Sequence, residues 1–282
     1  MNLPYRLARL EGKIARAIYR AALPSIVRRP IAIPTELSFD VFAYSGEQTL
    51  PEQAASIRSF LANAGRPRSF TIVSDGSYSQ GSIQLLEKID RCVRVRATAP
   101  EVPPGLPENT ETYLRTHPTG KQLALLMSLP VDGPALYTDS DVLFFPQATQ
   151  LGDIAARNAH SAIYLADYKF SGDERLIRDP SESERPVNTG FVFLFEKLDW
   201  SRGVERLATL NGAPNFFTNQ TVTHLALHAN RAAPFNPAKF VLRVDDEFVY
   251  GDRYAASSLV MRHYVNQIRH KFWTPLARSF RT

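Results

Sequence analysis

Residues 134–145 read PALYTDSDVLFF, an apolar run that ends in two carboxylates one residue apart and then turns apolar again. On an extended backbone side chains alternate with a period of two, so Asp139 and Asp141 would point the same way. Two like charges held close are unfavourable unless something positive lies between them. A divalent cation with hard oxygen ligands meets that need. The same triplet also suits a plain polar turn between strands. The apolar flanks favour a place at the mouth of a buried strand, where open α/β sheets collect their ligands.

Upstream, the chain alternates strand and helix signals. Residues 39–44 (FDVFAY) are rich in strand formers and close at Ser45-Gly46. Pro51 suits a first helical turn, Ala54, Ile57, Leu61 and Ala64 form its stripe, and Gly65 stops it. Residues 70–73 read as a strand followed at once by Ser74-Asp75-Gly76-Ser77, residues 82–90 as a short helix and 93–95 as a strand. Residues 100–107 (PEVPPGLP) are too proline-rich for either element and read as an extended surface segment. Residues 121–129 have the apolar density of a buried helix, which feeds a strand at 136–138.

Downstream, 161–166 and 187–195 (VNTGFVFLF) read as strands, 218–229 as a helix capped by Thr218, and 240–244 and 259–264 as strands. This rhythm predicts a single α/β domain with parallel strands and crossover helices. Residues 167–186 are rich in charge and poor in large apolar groups. A loop of that length inside a compact domain is either a lid over the site or a plain solvated loop.

The first thirty residues carry seven arginines and lysines against Glu11 alone, which exceeds the net charge of +5. Bulk basicity therefore belongs to the N-terminus and gives no argument for nucleic-acid binding by the core. Leu3, Leu7, Leu10, Ile14, Ala17, Ile18 and Ala21 follow helical spacing, with the basic residues on other faces. Such a helix either lies peripherally on an anionic membrane surface or packs on its own domain. No apolar run approaches the ~20 residues of a membrane span, and arginines interrupt every candidate signal sequence. Cys92 is the single cysteine, which excludes an intramolecular disulfide and a cysteine-based zinc site. Together these features predict a cytoplasmic protein, peripheral at the inner membrane face if the helix meets lipid.

Three groups follow predicted strands: Tyr44-Ser45, Asp75, and the Asp139/Asp141 pair. Neither G-x-G-x-x-G nor a P-loop is present, so a phosphate-bearing ligand would need a metal and side chains to neutralise it. Among six histidines His263 is the best placed third ligand, because it follows the apolar run Leu259-Val260-Met261. Asp245-Asp246-Glu247 offer either a carboxylate base for an acceptor or a solvated turn.

The residues 136–143 (LYTDSDVL) resemble the D-x-D segment of the GT-A fold glycosyltransferases, the nucleotide-diphospho-sugar transferase superfamily. Asn188-Thr189-Gly190-Phe191 is similar to its N-x-G segment. His263-Tyr264 with His270-Lys271-Phe272-Trp273 looks like the H-x-x-G-x-K-P-W ending of the retaining glycogenin and lipopolysaccharide galactosyltransferase group. The interval from His263 to Lys271 is longer here, no glycine lies within it, and Phe272 replaces the proline.

The resemblance implies a Rossmann-like mixed sheet flanked by helices over residues 35–282, with 1–34 as a basic amphipathic segment outside it. It implies Asp139, Asp141 and His263 as ligands of Mn²⁺ or Mg²⁺, held against the diphosphate of a nucleoside-diphosphate sugar, with UDP-sugars favoured. Tyr44, Ser45, Asp75, Lys121, Ser140, Asn188, Gly190 and Lys271 would contact that donor, with Lys271 on the phosphates. Asn219-Gln220 falls where the retaining group has Asp-Gln, so Gln220 is a candidate catalytic residue and Asn219 a departure. Asp246 is the candidate base if the reaction inverts. The acceptor is a glycan, lipid or small molecule.

Two other readings fit some of these residues. Asp139-Ser140-Asp141-Val142 also begins like the D-x-D-x-[TV] loop of haloacid-dehalogenase-type phosphatases, with Asp139 as nucleophile. That loop normally follows the first strand, whereas several βα units precede it here. A non-catalytic relic that only binds a nucleotide sugar would account for Asn219 and the altered C-terminal motif.

Overall fold

The computed structural model describes residues 2–97, 101–157 and 159–279. In chain order these form α1 (Leu3–Ile26), β1 (Asp40–Ser45), α2 (Leu50–Asn63), β2 (Ser69–Ser74), α3 (Gln80–Glu87) and β3 (Val93–Arg96). Next come α4 (Glu108–Thr116), α5 (Pro118–Ser128), β4 (Ala135–Thr138), β5 (Val142–Phe144), α6 (Gln150–Arg157), β6 (Ala162–Ala166) and β7 (Val187–Leu194). The chain closes with α7 (Ser201–Ala208), α8 (Thr218–Ala229), β8 (Ala233–Pro234), β9 (Phe240–Val241), β10 (Met261–His263) and α9 (Trp273–Ser279).

Seven strands make a mixed sheet in the order β3-β2-β1-β4-β7-β6-β8, and β5, β10 and β9 make a small second sheet. β1, β2, β3 and β4 run parallel, and β7 runs antiparallel to both β4 and β6. The chain winds outward from β1 to β3 and then returns to lay β4 on the other side of β1. That reversal opens a crevice beyond the carboxyl ends of β1 and β4, the place where such sheets bind ligands.

Strand period two explains why both faces are covered. Leu136 of β4 and Phe191 and Phe193 of β7 face one core with α2 and the small sheet. Ala135, Tyr137, Val192 and Leu194 face the other with α5 and α8. All eight residues of β7 are buried. Each large side chain withdrawn from water in this way contributes about 2 kcal/mol before entropy is counted.

Several expectations change in detail. β9 and β10 are shorter than the runs 240–244 and 259–264, because the second sheet is narrow. Phe217 rather than Thr218 occupies the N-cap of α8, and Thr218 Oγ1 instead donates to Asp173 Oδ2 at 2.7 Å. Residues 101–107 hold no helix or strand, as expected, and Pro100 lies outside the described residues.

Residues 167–186 are neither extended nor loosely solvated. They fold into two 3-10 turns, Glu174–Leu176 and Pro180–Ser183, and Leu176 enters a core cluster with α5 and α7. Glu182 is held by Arg202 at 2.6 Å and Arg206 at 2.7 Å, and those guanidiniums and the Arg178 amide hold its carboxyl down at about 2 against the effect of burial. The segment is thus pinned onto α7 and α8, and its first six residues border the crevice.

α1 packs against α2, the turn at 269–272 and α9. Asn2 caps it by accepting from the Tyr5 amide, and Pro4 lies in its first turn. Its buried positions are Ala8, Gly12, Tyr19, Leu23 and Ile26. Gly12 lets the helix backbone rest on the His270 carbonyl, where any side chain would collide. The apolar stripe read from the sequence is therefore not the packing face. Leu3, Leu7, Leu10, Ile14 and Ile18 are exposed. Among the described residues no helix is long and apolar enough to cross a membrane.

Candidate active site

The D-x-D segment is a turn between two sheets rather than one extended strand. β4 ends at Thr138, residues 140 and 141 turn, and β5 begins at Val142. The two carboxylates still converge, because β5 pairs with β10 and sets Val142 opposite His263. His263 Nε2 lies 3.0 Å from Asp141 Oδ1 and 3.7 Å from Asp139 Oδ2. One ligand atom from each of the three residues falls within 4.8 Å of the others.

The imidazole is oriented from behind. Asn188 Oδ1 accepts from the Gly190 amide at 3.0 Å and lies 3.0 Å from His263 Nδ1. An oxygen already acting as acceptor requires Nδ1 to donate, which leaves Nε2 facing both carboxylates. Gly190 has a reason of its own. A Cβ there would collide with His263 Cε1 and lie 2.7 Å from Asp139 Oδ2, while the Gly190 carbonyl accepts from the Asp139 amide at 2.8 Å. The N-x-G segment thus shapes the triad, and its Asn188 also borders the cavity. Gly190→Ala is expected to weaken divalent-cation affinity about tenfold to a hundredfold, the usual loss when a supporting contact is disturbed; Mn²⁺ titration followed by calorimetry checks it.

Three groups not singled out in the sequence complete the cluster. Gln122 Nε2 donates to Asp139 Oδ1 at 2.9 Å and to Tyr137 Oη at 2.7 Å, and its carbonyl accepts from Asn219 Nδ2 at 2.8 Å. Tyr137 Oη donates to the same Asp139 oxygen at 2.9 Å. Arg269 forms an ion pair with Asp141 Oδ2, and its Nε is buried with no partner among the described residues. Gln122 follows Lys121 directly and was open to helical-face reasoning. Arg269 lies in a 3-10 turn that no periodicity announced.

The charges of the cluster act on one another. Burial pushes Asp141 up, but the facing His263 and Arg269 cations outweigh it and hold its carboxyl well below the usual range. Burial raises Asp139, His263 opposes that rise, and Asp141 adds to it, leaving it above its ordinary value. Burial alone would lower His263, yet the two aspartates raise it. Without an ion, His263 and Arg269 supply the positive charge that two close carboxylates need. Two carboxylates and one imidazole nitrogen form a donor set suited to Mn²⁺ or Mg²⁺.

A cavity of about 440 Å³ opens over this cluster. Of the expected donor and catalytic residues, Asn188 and Gln220 line it, as does Asn219. Gln220 Nε2 donates to Asp167 Oδ2 at 3.1 Å. Tyr44, Ser45, Asp75, Lys121 and Ser140 do not form its wall. Ser45 Oγ bonds to Gln53 and Tyr78, Lys121 Nζ donates to the Asp75 carbonyl at 3.1 Å, and Ser140 is buried in the turn. Tyr44 Oη is buried with no partner among the described residues.

Lys271 and Asp246 lie elsewhere. Lys271 is buried, 3.1 Å from Asp246 Oδ2, and donates to the carbonyls of Val249 at 2.9 Å and Gly251 at 2.7 Å. Asp246 is fully buried and also pairs with Arg262 at 2.9 Å. Neither reaches the cavity. The resemblance to H-x-x-G-x-K-P-W implies a place on the phosphates for Lys271, but with the longer interval after His263 it is Arg269 that lines the cavity while Lys271 turns into the core.

No family model and no curated protein matches the chain. Solved structures do. The galactosyltransferase LgtC in complex with donor and acceptor sugar analogs aligns over 86% of this chain and 95% of its own, at 16% identity and a TM-score of 0.55. Mouse xyloside xylosyltransferase 1 in its apo form aligns over 83% of this chain and 99% of its own, at 10% identity and a TM-score of 0.52. The bifunctional glycosyltransferase WbbM aligns over 84% of this chain and 47% of its own, at 12% identity and a TM-score of 0.52. The pair Asp139/Asp141 follows the fourth strand of the sheet rather than the first, against the phosphatase topology. The chain has the GT-A fold.

Proposed function

We propose that the protein is a metal-dependent glycosyltransferase that moves a sugar from a nucleoside-diphosphate donor, UDP favoured, to a glycan, lipid or small-molecule acceptor. The observation that carries this reading is the convergence of Asp139, Asp141 and His263 at the floor of a cavity built on the crevice of a GT-A sheet. Asp139, Asp141 and His263 would hold Mn²⁺ or Mg²⁺, which supplies Lewis-acid stabilisation of the departing diphosphate.

The chain's own residues do the rest of the work in this reading. Gln122 and Tyr137 hold Asp139, and Asn188 fixes the His263 tautomer. Arg269, which lines the cavity beside Asp141, would pair with the phosphates. Gln220 and Asn188, which line the cavity, face the sugar. Three carboxylates line the cavity, Asp139, Asp141 and Asp167. With the first two committed to the cation, Asp167 replaces Asp246 as the group able to take an acceptor proton.

Arg269→Ala is expected to raise the donor KM about tenfold to a hundredfold, the worth of one or two charge-assisted hydrogen bonds. Lys271→Ala is expected to act on stability instead. Steady-state kinetics beside thermal unfolding separate the two. The function itself is tested by a hydrolysis and transfer screen across nucleotide sugars with Mn²⁺ and with a chelator. Turnover of none of them, or turnover unchanged by the chelator, contradicts the proposal.

A further inference from the structure

The five large apolar residues on α1, Leu3, Leu7, Leu10, Ile14 and Ile18, are 49% to 64% exposed. At 3.6 residues per turn they form one line roughly opposite the buried line of Ala8, Gly12, Tyr19 and Leu23. The helix therefore has two apolar faces, one spent on the domain and one turned outward. A continuous apolar strip of this kind is uncommon on a surface that meets only water.

The charges around the strip indicate what covers it. Arg6, Arg9 and Lys13 are exposed along one side of the stripe, while Arg16 and Arg20 turn to Glu52 and Glu47 of the domain. Glu11, the one acid of the helix, is engaged by the Tyr250 hydroxyl. The loop that carries Tyr250 also brings Phe248, packed edge-on against Tyr5 at 5.1 Å, and both loop aromatics are more than half exposed. Apolar residues, adjacent cations and aromatic side chains that tolerate both phases are the features of a helix lying in a lipid interface. Two copies of this chain meeting through the strip would bring their basic flanks together, which is unfavourable.

We infer that α1, with Phe248 and Tyr250, docks the protein flat on an anionic lipid bilayer. The inference is independent of the donor chemistry. Its geometry has one consequence for the site: α1 rests on the 269–272 turn, whose Arg269 enters the cavity, so the lipid surface and the cavity share one structural element.

The test is co-sedimentation of the full chain with vesicles of phosphatidylcholine containing about 30% phosphatidylserine, against phosphatidylcholine alone. Binding is expected on the anionic vesicles, weakened by salt and at least about tenfold weaker on neutral ones. Leu7→Glu with Ile14→Glu is expected to abolish it. Arg6→Glu with Lys13→Glu, which leaves the strip intact, is expected to weaken it at least about tenfold. Unchanged thermal midpoints confirm that both double variants fold. No binding to anionic vesicles, equal binding to neutral ones, or a lipid-free dimer that the Leu7/Ile14 variant dissociates would overturn the inference.

Discussion

Asp141→Asn is expected to lower donor turnover about a thousandfold, the scale of losing a preorganised electrostatic group at a reacting centre. The amide keeps the shape of the side chain but removes the charge that faces both His263 and Arg269. With that charge gone, the proposed cation would be left to Asp139 and His263, and Arg269 no longer has a carboxylate partner at the site. The loss is therefore expected in kcat and in the Mn²⁺ dependence together, read from initial rates at varied metal. A variant that kept its metal dependence and lost only donor affinity would place Asp141 on the sugar or the base instead.

The second large effect lies away from the cavity. Asp246→Ala is expected to cost about 3–5 kcal/mol of folding stability, because it leaves buried Lys271 without a carboxylate and buried Arg262 with Asp252 alone. Arg262 is fully buried, pairs with Asp246 and Asp252, and lies between the Tyr254 and Tyr264 rings at 5.0 Å from each. Lys271 shares the same aspartate. For a chain of this size each kcal/mol moves the thermal midpoint by about 2–4 °C, so a drop of roughly 10 °C is expected. Asp245→Ala, at an exposed residue bonded to Tyr254, is expected to change little by comparison. An Asp246→Ala protein with an unchanged midpoint and no turnover would return that residue to the role of base.

These two aspartates mark what sequence can and cannot show. The setting of Asp141 is legible because its neighbours Leu136, Tyr137, Val142 and Leu143 announce buried strands on either side, and because the crevice of an α/β sheet has a fixed place. Short patterns with local meaning single out Asn188, Gly190 and His263, but that the three meet is not legible in them, since the hydrogen bond from His263 to Asn188 crosses 75 positions. Asp246 was misread because three consecutive acids look like a surface turn or a catalytic cluster. The cations that bury one of them lie 16 and 25 positions downstream. Lys271 was misread for a related reason. Its motif fixes residue types, while the longer interval after His263 shifts which cation faces the cavity.

Gln122 and Arg269 were missed because neither has a chemistry of its own to announce, and each acquires its place only when α5 and the 269–272 turn are packed. α1 adds a different lesson. Periodicity found its apolar stripe and left open whether that stripe meets membrane or domain. The domain face is instead marked by small residues, Ala8 and Gly12, whose value is close approach rather than hydrophobicity.

The central claim is that Asp139, Asp141 and His263 hold a cation that in turn holds a diphosphate. It is tested most directly by calorimetric titration of the protein with uridine diphosphate, with and without Mn²⁺, on the wild type and on Asp141→Ala. Binding that requires Mn²⁺ in the wild type and is lost in the variant is the predicted result. Binding that is independent of metal and unchanged in Asp141→Ala would contradict it.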